Sequence, residues 1–391
     1  MTIHRATAVW TPDGVRKDWS VVVEDRSITE VRPAKPGDPE ALIGLLVPGL
    51  VNAHLHLEMS WLAGLVEEGG GFSTWVRRMM LVRKEPPTQA DQRASARRAA
   101  ERLVAYGTAA VCDISNGGDT ADLFAGVGIS GIVQHEFLSM DPARIPAQLA
   151  EIEKCGDRLE TDNATVVTRP APHAAFSTAP ELVVASARKQ DHVPSTIHIA
   201  EDVDELDFLR DGTGSYAYFM DELGVPWRWW EPPGLTPVAY LDKLKVLGPG
   251  MLLVHGVHAS WSDRQIIATR GSPLCLCPRS NAYIGGRLPD VPGLMEAGIR
   301  LCLGTDSLAS NGDLDLMGEV ALLMSAFPDL DAGIWLDLAT RGGASALQLD
   351  HLGEIAVGKS PGLVLLKGVS GPDDLGTPPE RSWICRPGVT G

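Results

Sequence analysis

Eight short apolar runs, separated by stretches of helical patterning, constrain this chain more than any other feature. They are Gly49–His54, Ala109–Ile114, Ile129–Phe137, Thr165–Arg169, Thr196–Ala200, Met251–Val257, Pro273–Cys277 and Arg300–Asp306. Such runs are too short for independent helices, and their alternation with helical segments is the rhythm of βα units around a parallel sheet. Helix starts fall where that rhythm needs them. Thr88 to Asp91 reads as a capping box before an Ala- and Arg-rich stretch, and Ser177 to Glu181 offers a hydroxyl cap followed by an early proline. Eight strands with eight crossovers close into a (β/α)8 barrel more readily than they extend an open sheet.

The two ends of the chain have a different texture. Residues 1–47 alternate β-branched and polar positions, as in Ser20 to Glu24, and residues 353–391 carry the short runs Gly353–Gly358 and Gly362–Leu366 between Gly and Pro. The expected architecture is α/β: a TIM-like barrel over 48–352 and one small β-sandwich domain assembled from 1–47 and 353–391. With 391 residues the chain has room for both. Lys+Arg number 34 against 50 for Asp+Glu, and the resulting net charge of −16 argues against a nucleic-acid partner. The cysteines (Cys112, Cys155, Cys275, Cys277, Cys302, Cys385) lack Cys-x-x-Cys spacing and read as reduced thiols. No secretory leader or membrane span is legible, because the apolar run from Ala41 to Val51 is broken by Pro48 and Gly49. A cytoplasmic enzyme with no membrane partner is the expectation.

Chemistry enters at the ends of the predicted strands. The first ends in Asn52-Ala53-His54-Leu55-His56. Side chains alternate along a strand, so the two imidazoles point to one side about 7 Å apart along the backbone, close enough to converge on one metal. The fifth ends in His198-Ile199-Ala200-Glu201, the sixth in His255-Gly256-Val257-His258 and the eighth in Gly304-Thr305-Asp306. C-terminal strand ends are where barrel active sites are built, and four of ten histidines plus an aspartate fall there.

These segments resemble the amidohydrolase superfamily, in the branch of cytosine, guanine and S-adenosylhomocysteine deaminases and triazine chlorohydrolases. The resemblance is carried by Pro48 to His56, His198 to Glu201, Cys277 to Asn281 and Leu303 to Asn311, with Gly353–Gly358 and Pro361–Leu366 similar to the closing strands. It implies one divalent metal, Zn²⁺ or Fe²⁺, held by His54, His56, His198 and Asp306. A mononuclear site follows, since no Lys lies between Lys154 and Lys189 to bridge a second ion. It also implies that Asp306 and His255 handle the proton of an attacking water while Glu201 shuttles a proton to a ring nitrogen of the substrate.

Substrate contacts are read from neighbouring loops. His173, just past the fourth strand, occupies a place where the branch touches substrate, with a loop hydrogen bond as the alternative. His258 reads as an ordinary loop histidine, and His135 could line the mouth. Trp227, Trp229 and Trp230 follow the strand-five site, where aromatic faces suit a flat ring; packing among themselves is the other reading. This loop, with His56 to Leu62 and Gly70 to Arg77, resembles the aminodeoxyfutalosine deaminases, which act on 6-amino-6-deoxyfutalosine in an alternative menaquinone pathway. That likeness suggests Arg279, or one of Arg77 and Arg78, for a substrate carboxylate, Trp229 for stacking and Glu58 for ribose hydroxyls. Leu276 stands where many deaminases of the branch have His, which removes one polar contact. Cys275 and Cys277 read as strand packing. The rival readings are a triazine-type chlorohydrolase, another aminohydrolase acting on adenosine, S-adenosylhomocysteine or guanine, and a non-catalytic barrel assembly protein. The expected partner is a small nucleoside-like molecule, with a homodimer expected from barrel habits.

Overall fold

Each of the eight apolar runs is a strand in the computed structural model, which describes residues 1–188 and 193–388. Four strands precede them: β1 (Thr2–Thr11), β2 (Gly14–Glu24), β3 (Ser27–Pro33) and β4 (Leu42–Pro48). Then come β5 (Leu50–Leu55), β6 (Thr108–Ser115), β7 (Ser130–Phe137), β8 (Arg158–Thr161), β9 (Ala164–Pro172), β10 (Ser195–Ile199), β11 (Met251–His255), β12 (Leu274–Leu276) and β13 (Leu301–Leu303). Of these, β8 falls outside the sequence reading; it is an exposed antiparallel edge on β9. The helices begin where their signals lie. Thr88 caps Gln89–Ala105 by accepting a hydrogen bond from the Asp91 N–H, and Pro180 opens Pro180–Arg188.

The parallel strands form two runs, β5-β6-β7-β9 and β10-β11-β12-β13, and helices lie between successive strands. Isolated parallel bridges join the runs at both seams, Ala174 to His198 and Leu55 to Asp306. This is a TIM-like barrel fold. The strands β10 and β11 are buried along their whole length, as a parallel sheet covered by helices requires.

The chain ends meet in one six-stranded sheet of order β15-β14-β4-β1-β2-β3, with β14 (Leu363–Lys367) antiparallel to β4 and β15 (Arg381–Cys385) at its edge. Leu45, Val47, Val364 and Leu366 face the main core, while Val9, Val21, Ile28, Leu46 and Leu365 build a separate cluster on the other side. The expected union of both termini is present, but its pairing is one sheet where a sandwich was expected. Residues 353–358 are also not a strand. They run as turn and loop, with Ile355 buried in the terminal cluster and the Gly358 N–H donating to the Ile28 carbonyl.

Candidate active site

The seam between β5 and β13 places the first cluster. The His54 carbonyl accepts from the N–H groups of Thr305 and Asp306 at 2.9 and 3.1 Å, and the Asn52 amide donates to the Thr305 hydroxyl at 2.7 Å. Those bonds bring Asp306 Oδ1 to 3.7 Å from His54 Nε2 and 3.4 Å from His56 Nε2. From the other seam His198 turns its ring toward them, 5.0 Å centroid to centroid from His54 and 5.6 Å from His56. One ligand atom from each of His54, His56 and His198 lies within 4.8 Å of the others. Four donors about 2.1 Å from one tetrahedral ion would stand about 3.4 Å apart, close to the spacings around Asp306. Both ring nitrogens of the fully buried His54 lack a hydrogen-bond partner among the described residues, which an imidazole rarely tolerates unless something else takes a lone pair. The donor set therefore fits a divalent ion.

Electrostatics agree with that fit. Burial pushes His56 down to about 3 and His198 well below its ordinary value, so both rings stay neutral and keep a lone pair. His198 Nδ1 donates to the His173 carbonyl at 2.8 Å, leaving Nε2 as its free donor. Burial works against ionised Asp306, but the imidazoles of His54, His56 and His255 hold its carboxyl well below the usual range. Its second oxygen accepts from the Ser280 and Ser310 hydroxyls at 2.5 and 3.1 Å.

Glu201 and His255 stand beside this cluster. The Asn281 amide donates to His255 Nδ1 at 3.0 Å, which puts the ring proton on Nε2, the nitrogen facing Glu201 Oε1 at 3.6 Å. Burial, with Asp306, Glu205 and Asp202 nearby, raises the Glu201 carboxyl well above its ordinary value and so favours its protonated form.

A cavity of about 770 Å³ opens over these groups, and His56, His173, His198, Glu201, His255 and Asp306 all line it. His173 thus faces the cavity, with Nδ1 tied to the Ser177 hydroxyl at 2.5 Å. Other expected contacts lie elsewhere. Arg279 pairs with Asp313 at 2.6 Å, and its backbone N–H donates to Glu319. Trp229 is 43% exposed and donates to the Met140 carbonyl, while Trp227 and Trp230 are buried against Phe208 at 4.9 and 5.8 Å. Both Glu58 oxygens are engaged, one by Ser115 and the Asn116 N–H, the other by the Asn116 amide. Arg77 pairs with Glu222, and Arg78 donates to the carbonyls of Glu67, Glu68 and Gly69. His135 stacks on Phe137 outside the cavity, His258 is likewise outside it, and Leu276 is buried in the core.

Sequence reasoning missed the groups that do line the cavity wall. Phe72 and Trp75 come from the helix Gly71–Val82; Phe176 and Tyr216 pack on Phe72, their ring centroids 4.3 Å apart. At the rim stand exposed Arg83, Lys84 and Arg144, none paired with a carboxylate among the described residues. Glu136, at the end of β7, was also missed, although its place at a strand end is the signal that found His198.

Residues 45–383 match the pattern of the amidohydrolase family. The chain belongs to the amidohydrolase family. This amidohydrolase is 28% identical over 325 residues to a 5-methylthioadenosine/S-adenosylhomocysteine deaminase of Halobacterium salinarum, covering 80% of the chain and 70% of that protein. It is 29% identical over 341 residues to an aminodeoxyfutalosine deaminase of Deinococcus radiodurans, covering 82% and 78%. The fold of the amidohydrolase is that of the Helicobacter pylori aminofutalosine deaminase solved with methylthio-coformycin, at a TM-score of 0.80, 23% identity and coverage of 94% and 92%.

Proposed function

We propose that this amidohydrolase is a metal-dependent hydrolytic deaminase of an adenine-type nucleoside, with 6-amino-6-deoxyfutalosine as its substrate and futalosine and ammonia as products. The observation that carries the reading is the meeting, beside one cavity, of His54, His56, His198 and Asp306 with the buried carboxyl of Glu201. The deaminases among its relatives support the nucleoside class. The aromatic wall of Phe72, Phe176 and Tyr216 suits a flat base, and the cations at the rim, in place of Arg279, suit the carboxylate of a benzoate.

His54, His56, His198 and Asp306 would hold one Zn²⁺ or Fe²⁺, and such an ion, when bound, supplies the Lewis acidity that brings a water toward ionisation near neutral pH. Glu201 donates its proton to the ring nitrogen beside C6, which draws electron density from that carbon. As the water oxygen bonds to C6, Asp306 takes one water proton, and His255 Nε2–H orients the attacking oxygen. The C6–N bond then breaks and the amino group leaves as ammonia with the proton held by Asp306. The remaining hydroxyl proton returns to Glu201 as the carbonyl forms, so every group ends as it began.

Protein loaded with Zn²⁺ or Fe²⁺ and given 6-amino-6-deoxyfutalosine, adenosine and 5′-methylthioadenosine tests the reading, followed by the ultraviolet change from adenine to hypoxanthine. Highest kcat/KM on the first supports the substrate assignment. Preference for either of the others keeps the chemistry and moves the substrate.

A further inference from the structure

Glu136 is a buried cavity carboxyl that the reaction leaves unused. It closes β7, is 9% exposed, and its Oε1 has no hydrogen-bond partner among the described residues. With His173 and His198 it forms a group whose ligand atoms all lie within 4.8 Å of one another. Yet neither histidine satisfies it. His198 Nδ1 is 3.9 Å away and already donates to the His173 carbonyl, while His173 Nδ1 is taken by Ser177. A buried polar atom left without a partner is costly, and where that atom borders a ligand cavity the ligand can supply the missing bond.

Topology says which part of the ligand. Glu201 follows β10 and must reach the ring nitrogen beside C6, so the reacting edge of the base lies over β10 and β11. Glu136 sits at the end of β7, across β9 from β10. A flat base that runs from Glu201 past His198 and His173 therefore carries its sugar toward Glu136. Vicinal hydroxyls are natural partners for a carboxyl, which offers two oxygens to them. Glu58, the carboxyl expected in this role, has both oxygens engaged by Ser115 and Asn116.

We propose that Glu136 binds the sugar hydroxyls of the nucleoside and sets a preference for ribose over deoxyribose. The assignment rests on the reading of the site as a nucleoside deaminase. The test compares kcat/KM for adenosine, 2′-deoxyadenosine and 3′-deoxyadenosine in metal-loaded wild type, Glu136→Met and Glu136→Gln, with metal content measured alongside. Slow turnover suffices, because the ratio is what is read. Wild type should favour adenosine by up to roughly tenfold, the worth of a hydrogen bond to a buried carboxyl. Glu136→Met should lose that preference, mainly through KM, while keeping its metal; Glu136→Gln, which can still bond a hydroxyl, should fall between. Equal loss on all three substrates, or loss of metal in both variants, overturns the assignment and makes Glu136 a support for His198. Equal wild-type activity on ribose and deoxyribose substrates overturns it while leaving the deaminase reading intact. No ammonia from any adenine nucleoside removes that reading and the assignment with it.

Discussion

His255 and Asp306 hold left-handed backbone, with φ of 76° and 55°, and Ala200 between His198 and Glu201 does the same at 47°. Non-glycine residues reach that region at a cost of about 1–3 kcal/mol, and they persist where surrounding bonds over-determine them. Here the His54 carbonyl pins Asp306, and the Ala200 carbonyl accepts from the His258 N–H. The bends turn strand ends inward and aim their side chains at one point. Replacing Asp306 or His198 by Ala should remove turnover and lower metal content, checked by ammonia release and elemental analysis; full activity in either variant would refute the assignment. Glu201→Gln should behave differently. It keeps the shape and the metal but cannot pass a proton, so kcat should fall by about 10²–10⁴ with unchanged metal content.

At the scale of elements, the site is built on seams, and small residues make the seams possible. A Cβ on Gly304 would lie 2.7 Å from both His54 Cβ and its carbonyl oxygen, and 2.9 Å from Cys275 Sγ. Gly304→Ala should therefore push β13 away from β5. Overpacking of this kind costs about 1–3 kcal/mol, visible as a lower Tm, with metal affinity reduced beyond what the stability loss alone produces. The same scale separates what could be read from the sequence. His54, His56, His198, His255 and Asp306 were legible because each lies at or near the end of an apolar run, so local pattern gives its position in space. Arg279 and Glu58 were not, because their partners arise from folding: Asp313 is 34 residues from Arg279, and Asn116 is 58 from Glu58. For Trp227 and Trp230, loop position suggested the mouth, but Phe208 buries both, and the aromatic wall came from Phe72 on the helix Gly71–Val82 with Phe176 and Tyr216. The barrel was legible from its rhythm. Residues 353–358 misled because a glycine-bounded apolar run serves equally as a loop that buries Ile355.

Across the whole molecule, a terminal sheet joins both ends of the chain against the barrel, and Arg381 of β15 meets Asp315, the cap of the helix Leu316–Ala326, in a buried ion pair. Among the described residues no helix is long and apolar enough to cross a membrane. Stability should depend on pH through buried carboxyls outside the reaction. Burial raises Glu319 from 4.5 to about 8, with Arg279 and Asn311 only partly offsetting it. Between those values the folded chain keeps a proton that the unfolded chain releases, so stability is highest below pH 4.5 for this group and falls until pH 8. Glu319→Gln should flatten that part of the fall in Tm between pH 5 and 8, measured by thermal melts; an unchanged slope would count against it. On the proposed reading, one metal ion held by His54, His56, His198 and Asp306 makes the chain a deaminase. Metal-depleted protein titrated with Zn²⁺ or Fe²⁺ in the presence of 6-amino-6-deoxyfutalosine, adenosine and 5′-methylthioadenosine tests it most directly. Ammonia release should rise from background to a plateau at one ion per chain, and release independent of metal, or none with the metal bound, would contradict it.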